Sequence, residues 1–113
     1  MKIRYWGVRG SIAVPGKETI EYGGNTSCVS VEADGRTLIF DAGTGIRLCG
    51  NYLLSRGGRI EASVFISHTH WDHIQGFPFF VPSYIPGNRL TLHGPPADIQ
   101  NLSRKHSMER ETK

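Results

Sequence analysis

The chain has 113 residues, and 13 Lys and Arg against 10 Asp and Glu give a formal net charge of +3. This length predicts a single domain, and a hydrophobic content of 38% excludes a wholly disordered chain. No apolar run reaches the length of a membrane span, and residues 1–6 lack the apolar stretch of a signal peptide. We therefore expect a soluble, cytoplasmic protein with no membrane partner. Its mild positive charge permits an anionic or nucleic-acid partner without requiring one.

The first 58 residues predict three strands and one helix. Residues 3–8 and 27–33 are expected to be strands, and the second alternates apolar with more polar side chains. Asp34-Gly35 is typical of a tight hairpin turn, which leads into a return strand at 36–40. Thr44 is a candidate N-cap for the helix that follows. The apolar helical stripe has three members, Ile46, Cys49 and Leu53, and is joined by Tyr52. Gly57-Gly58 is expected to end the helix.

The second part of the chain continues this alternation of strands and helices. We expect a strand at 60–66, a loop at 67–76 leading into a short helix, a turn at 82–88 and a strand at 89–92. A polar helix is predicted from residue 97 to the end. The order of elements indicates an α/β fold with a sheet and flanking helices.

The strongest chemical signal is the motif His68-Thr69-His70-Trp71-Asp72-His73, followed by Gly76, at the end of a predicted strand. Imidazole and carboxylate are the ligands that zinc and similar ions prefer. Two histidines two residues apart on an extended segment point the same way and can hold one ion together. Asp72 and His73 point to a second position nearby. Two ions a few ångströms apart can activate a shared hydroxide as a nucleophile.

On these residues the sequence resembles the metallo-β-lactamase-fold hydrolases, whose first metal motif it matches at every defined position. Residues 7–11 and 22–28 look like the N-terminal signature of a phosphodiesterase-like branch. That branch holds cyclic-phosphate phosphodiesterases and, more distantly, tRNA 3′-processing endonucleases. Residues 39–45 look like the strand-end Asp-x-Gly turn of the family. The resemblance extends from residue 3 to about residue 94.

The resemblance implies a layered α/β fold, an αββα sandwich built from two similar halves. Residues 1–113 would be its N-terminal half, with one mixed sheet and flanking helices, and the second half would be absent. The remaining metal ligands of the family lie in that second half. One face of the sheet would then be uncovered, and we expect self-association through it.

The resemblance also implies roles for individual residues. His68 and His70 would bind one divalent metal ion, and Asp72 and His73 would bind a second. Asp72 would also be catalytic and orient the attacking hydroxide, while Asp41 would position the histidine loop from behind the ligands. Zinc is the expected ion, with manganese or iron as alternatives. The implied function of the full-length protein is hydrolysis of a small anionic or phosphodiester substrate by a metal-bridged hydroxide.

Alternatives remain open at this stage. A thioester or lactone hydrolase of the same fold is one, since a fold does not determine a substrate. A catalytically incomplete metal-binding or assembly fragment is another, because the motif supplies two ligands per ion where hydrolytic zinc sites keep three. Two features have both a functional and a structural interpretation. Residues 23–26 would cradle a phosphate or form a turn, and His93 would lie near the metal site or be a polar strand-end residue.

Overall fold

A computed structural model describes residues 1–10, 12–14, 16, 23–67 and 73–94, together with the backbone of residues 109–112. The chain alternates strands and helices along most of these ranges. The elements are β1 (Lys2–Gly7), β2 (Cys28–Ala33), β3 (Arg36–Phe40), α1 (Ile46–Ser55), β4 (Glu61–Phe65), two 3-10 helices (Phe77–Phe79 and Val81–Tyr84), β5 (Arg89–Gly94) and β6 (Glu109–Thr112). The α/β fold expected from the sequence is confirmed.

The strands form one mixed sheet in which neighbours in sequence are neighbours in space, in the order β1 to β6. The pairs β1–β2 and β2–β3 are antiparallel, whereas β3, β4, β5 and β6 run parallel. The carboxyl ends of β3, β4 and β5 therefore meet at the same edge of the sheet. The histidine motif follows β4 in the sequence and therefore begins next to this edge. Ligand sites of parallel sheets form at such an edge.

Helical elements cover one face of the sheet and form the core against it. The alternation along β2 directs Cys28 and Ser30 toward the helical layer, and Val29 and Val31 toward the opposite face. The predicted apolar stripe of α1 is confirmed, since its three members are buried. The buried hydrophobic residues that make up the core are Cys28, Ile39, Ala42, Ile46, Cys49, Leu53, Ile60, Ala62, Val64, Ile66, Phe77, Phe80, Leu90 and Leu92.

The opposite face of the sheet, which we call the open face, has no described element packed over it. Strand register places seven apolar side chains there: Ile3, Tyr5, Val29, Val31, Leu38, Phe40 and Phe65. Tyr5 is 71% exposed and Phe40 is 39% exposed. The rings of Phe40 and Phe65 stack at 5.3 Å across two parallel strands, and the ring of His93 stacks on Phe65 at 4.4 Å. The open face is thus a continuous apolar surface with an aromatic row at one end.

Two local predictions from turn chemistry are confirmed. Asp34 and Gly35 connect β2 to β3 with φ of 51° and 74°, the pair of positive values that a type I′ hairpin turn needs. Gly57 and Gly58 follow α1 with φ of 72° and 80°, and a left-handed residue after the last turn ends a helix.

Two local predictions are wrong, and a third differs in its bounds. Gly45, not Thr44, is the N-cap of α1, and no side chain caps the helix. Thr44 does not cap it because its hydroxyl accepts from the Thr26 N–H instead. The turn predicted at 82–88 begins later than expected, because Pro82 lies inside a 3-10 helix, where proline fits the first positions. The turn itself is present at 85–88, where the Asn88 N–H donates to the Ile85 carbonyl at 3.3 Å. Residues 109–112 form β6 and not a helix, because pairing with the free edge of β5 satisfies their backbone. The rest of that predicted helix, at 97–108 and 113, lies outside the described residues.

Among the described residues, no helix combines the length and the apolar character that crossing a membrane requires.

Candidate metal centre

The structure describes two of the five residues assigned to the site, Asp41 and His73, and brings them into contact. His68, His70 and Asp72 lie outside the described residues, so their ligand roles stay predictions. Within the described residues, no group of three or more His, Cys, Asp and Glu side chains is placed to hold a metal. The geometry of the centre is therefore built from the two residues that the structure shows and from what holds them.

Asp41 follows β3 directly and is buried, with 8% of its surface exposed. Its φ of 67° lies in the left-handed region, which aspartate tolerates better than most residues. Its backbone N–H donates to the carbonyl of Phe65 at 2.8 Å. This bond keeps β3 and β4 in register to their last residues and directs the Asp41 carboxylate toward the segment after β4.

The Asp41 carboxylate accepts from the residue that begins that segment. The Ser67 backbone N–H donates to Oδ1 at 2.7 Å. The Ser67 hydroxyl lies 2.9 Å from Oδ1 and 2.8 Å from Oδ2. A buried carboxylate needs such donors, because an unpaired buried charge costs several kcal/mol. Asp41 therefore fixes the point at which the histidine motif leaves the sheet.

His73 contacts the same carboxylate from the far end of the motif. Its Nδ1 lies 2.9 Å from Asp41 Oδ2, and its side chain is only 16% exposed. The carboxylate therefore occupies the Nδ1 side of the His73 ring. A metal ion held by His73 would then be held by Nε2. A carboxylate behind a ligand histidine in this way is the common arrangement of metal-binding histidines, so the described residues fit a metal.

The backbone from His73 to Gly76 is bound directly to the turn that follows β3. Ala42 N–H donates to the His73 carbonyl at 2.7 Å, and Gly76 N–H donates to the Ala42 carbonyl at 2.9 Å. A Cβ added to Gly76 would overlap the carbonyl of Gly43. This close approach is the physical reason for a glycine at the last position of the motif.

Sequence reasoning missed three polar residues beside this turn: Thr26, Thr44 and Gln75. Gln75 Nε2 donates to Thr26 Oγ1 at 3.1 Å, and Thr26 and Thr44 are joined by further hydrogen bonds. Thr26 is 18 residues from Thr44 and 49 residues from Gln75 along the chain. No local sequence pattern therefore predicts these contacts.

The structural interpretation of residues 23–26 is favoured over a phosphate cradle. The Thr26 N–H is occupied by Thr44, and the carbonyls of Gly24 and Asn25 accept from Val14 and Arg9 at 2.8 and 3.0 Å. The segment thus binds other parts of the chain.

His93 and the two cysteines take no part in the centre that the structure describes. His93 is at the carboxyl end of β5, where its ring stacks on Phe65 at the open face. Cys28 and Cys49 are buried and form no disulfide, as expected for core residues. A hydrogen bond with Cys49, together with burial, raises the pKa of the Cys28 thiol far above its ordinary value. Cys28 is therefore a protonated thiol and not a nucleophile.

Comparison with known proteins identifies the family of this chain. Residues 22–106 match the family model described as the metallo-beta-lactamase superfamily, and the chain belongs to this superfamily. The predicted family and the fold class are thereby confirmed.

Among curated proteins, the chain is similar to ribonuclease Z of Picrophilus torridus, with 27% identity over 95% of the chain and 33% of that protein. It is also similar to ribonuclease Z of Treponema pallidum strain Nichols, with 44% identity over 68% of the chain and 26% of that protein. The chain thus spans between a quarter and a third of the length of these relatives.

Two solved structures share the fold. The short form of human tRNase Z superposes with a TM-score of 0.65 at 18% identity, covering 99% of the chain and 44% of that protein. The metallo-beta-lactamase fold protein YhfI from Bacillus subtilis superposes with a TM-score of 0.66 at 19% identity, covering 98% and 45%. At this level of identity the likeness shows the fold alone.

We expect Asp41→Asn to lower the free energy of unfolding by about 1.5–3 kcal/mol, the contribution of hydrogen bonds to a charged group. Asparagine tolerates the left-handed backbone, so the substitution isolates the loss of the charged acceptor. Urea unfolding at neutral pH measures the effect. Asp34→Asn is the matched control, because Asp34 also has a positive φ but is exposed in the hairpin. Equal stability of the two variants would contradict the role given to the Asp41 carboxylate.

Proposed function

We propose that the protein is a metal-dependent hydrolase of phosphodiester bonds and that this chain supplies the N-terminal half of its catalytic domain. The observation that carries the proposal is the contact of His73 Nδ1 with the buried Asp41 carboxylate at 2.9 Å. This contact orients one member of a four-ligand motif at the carboxyl ends of parallel strands. Membership of the superfamily supports the use of divalent metal ions.

The proposed ligands are His68 and His70 for one ion and Asp72 and His73 for a second, with zinc as the expected metal. When bound, such ions act as Lewis acids that lower the pKa of water and stabilise charge on phosphate oxygens. The chain itself supplies orientation. Asp41 holds the ring of His73 and the start of the motif, and Asp72 would accept a hydrogen bond from the attacking water.

Nucleic acid is the proposed substrate class in preference to a small anionic molecule. The curated relatives that we compared are named ribonuclease Z, and one structural neighbour is a tRNase Z. A net charge of +3 is compatible with a polyanionic substrate. A thioester or lactone substrate would need no such charge and is the outcome that the assay below separates.

A metal-binding module without hydrolytic activity is the second candidate. It is favoured by the ligand count within this chain, two per ion against the three of hydrolytic zinc sites. The two candidates differ in whether hydrolysis accompanies metal binding.

For the hydrolase, we expect Asp72→Ala to abolish hydrolysis of bis(p-nitrophenyl) phosphate and of a labelled RNA by the zinc-loaded full-length protein, while the urea midpoint of the metal-free protein stays unchanged. The loss follows because Asp72 is both a metal ligand and the partner of the attacking water. Asp34→Asn, a carboxylate change in the hairpin at the opposite end of β3 from Asp41, should keep full activity. Turnover of the Asp72→Ala variant at the wild-type rate would contradict the assignment. Activity on thioesters without activity on phosphodiesters would show that the proposed substrate class is wrong.

We further propose that a second copy covers the open face when this chain is alone in solution. The face presents seven apolar side chains from four strands, with its largest residue, Tyr5, 71% exposed. An exposed apolar surface of this kind drives association. Pairing of two open faces would create a two-sheet sandwich with helices outside.

Phe40→Glu should therefore shift the chain from dimer to monomer in sedimentation velocity, because it places a charge in the aromatic row of the open face. Leu48→Glu is the matched control. Leu48 has the same exposure of 39% but belongs to α1, on the other side of the sheet. The self-association proposal fails if wild-type protein is monomeric, or if both variants lower the dimer fraction equally.

A further inference from the structure

Thr26 and Thr44 are joined by reciprocal hydrogen bonds between two distant segments. The Thr26 N–H donates to Thr44 Oγ1 at 2.9 Å, and the Thr44 N–H donates to Thr26 Oγ1 at 2.8 Å. Thr26 precedes β2, Thr44 precedes α1, and Thr26 is fully buried. We call these two residues the threonine pair. Because Thr26 is shielded from solvent, water does not readily replace a partner that is lost.

Both hydroxyl groups of the threonine pair are fully used. A threonine hydroxyl offers one donor and two acceptor positions. Thr44 Oγ1 accepts from the Thr26 N–H and from the Thr26 hydroxyl at 3.4 Å, and donates to Asn25 Oδ1 at 3.2 Å. Thr26 Oγ1 accepts from the Thr44 N–H, and its second acceptor position is taken by Gln75 Nε2 at 3.1 Å. Gln75 therefore completes a closed network.

Gln75 connects this network to the histidine motif, since it lies two residues after His73. The same stretch is already bound through its backbone, by Ala42 N–H to the His73 carbonyl and by Gly76 N–H to the Ala42 carbonyl. Those two bonds come from the turn after β3. The bond of Gln75 comes from the segment before β2, so the stretch that follows the motif is held from two sides.

Removing an acceptor from this network leaves buried donors unpaired, which costs more than the hydrogen bond contributed. The network would relieve that cost by moving Gln75 and, with it, the backbone next to His73. Residues behind metal ligands affect metal affinity through such shifts.

We propose that Thr26, Thr44 and Gln75 are positioning residues, which hold the end of the histidine motif and thereby set its affinity for metal. The inference rests on the proposed function in one respect, namely that the motif binds metal. It assigns a role to residues that neither contact a metal ion nor belong to the motif of ligands.

The test compares Thr26→Val, which keeps the shape and removes the hydroxyl, with Thr26→Ser, which keeps the hydroxyl. We expect Thr26→Val to weaken Co²⁺ binding to the full chain by about 2- to 30-fold, the range for a residue that contacts no ligand and acts on the site through its neighbours. Thr26→Ser should restore an affinity close to that of the wild type. Co²⁺ binding is followed by absorption spectroscopy, which needs no substrate. Equal affinity of the valine and serine variants would overturn the proposal.

Ser30→Ala is the matched control for loss of a buried hydroxyl. Ser30 is 1% exposed, and its Oγ accepts from Nε1 of Trp6 at 2.8 Å, a partner outside the motif. We expect Ser30→Ala to lower the urea midpoint as Thr26→Val does, but to leave Co²⁺ affinity unchanged. An equal loss of affinity in both variants would mean that Thr26 acts only through general stability, and the proposal would be wrong.

Hydrogen exchange of the metal-free chain tests the positioning without any metal. Relative to the core amides of Ile39 and Val64, the amides of Ala42 and Gly76 should exchange about tenfold faster in Thr26→Val, as expected for the loss of one buried hydrogen bond. Ser30→Ala should leave that ratio unchanged. An unchanged ratio in Thr26→Val would overturn the positioning role even if the chain binds metal. A wild-type chain that binds no Co²⁺ would contradict the proposed function and the effect on affinity, while the exchange ratio still decides the positioning role.

Discussion

The buried carboxylate of Asp41 is the interaction on which the described part of the site depends. It lies directly after β3 and accepts from Ser67, where the histidine motif begins, and contacts His73, where the motif ends. A charge in this position is stable only when several donors surround it. The same contacts hold Ser67 and His73 in place, so burial of the carboxylate and the positions of these two residues depend on each other.

Close backbone contact makes this arrangement rigid. Three segments converge beside Asp41: residues 25–27, 41–45 and 73–76. Side chains are excluded where two of these segments meet, since a Cβ on Gly76 would overlap the carbonyl of Gly43. Direct contact between backbones leaves little room for residues 73–76 to shift. Catalytic and metal sites require such support, because ligands are effective only when their orientation is held.

The sequence predicts the sheet and helix well where a local signal exists. Alternation predicts the strands, Asp34-Gly35 predicts the hairpin, and the spacing of Ile46, Cys49 and Leu53 predicts the buried side of α1. Thr44 was assigned wrongly because cap preference is local, whereas its actual partner is 18 residues away. Strand β6 has no apolar pattern of its own and depends on the edge of β5.

The candidate site also has parts that the sequence predicts and parts that it does not. The motif and the role of Asp41 are predicted from the resemblance, and the contact of Asp41 with His73 supports that role. Gln75 carries no recognisable signal, because its importance comes only from the distant hydroxyl of Thr26. The open face could be expected only from the family architecture, since alternation alone does not say which side of a sheet is covered.

Zinc affinity of the wild-type chain and of Asp41→Asn, measured by competition with a chromophoric chelator, tests the central claim most directly. The claim is that the Asp41 carboxylate holds His73 as a metal ligand. We expect the wild type to bind zinc and Asp41→Asn to bind it about 10- to 100-fold more weakly. Equal affinity of the two proteins, or no zinc binding by the wild type, would contradict it.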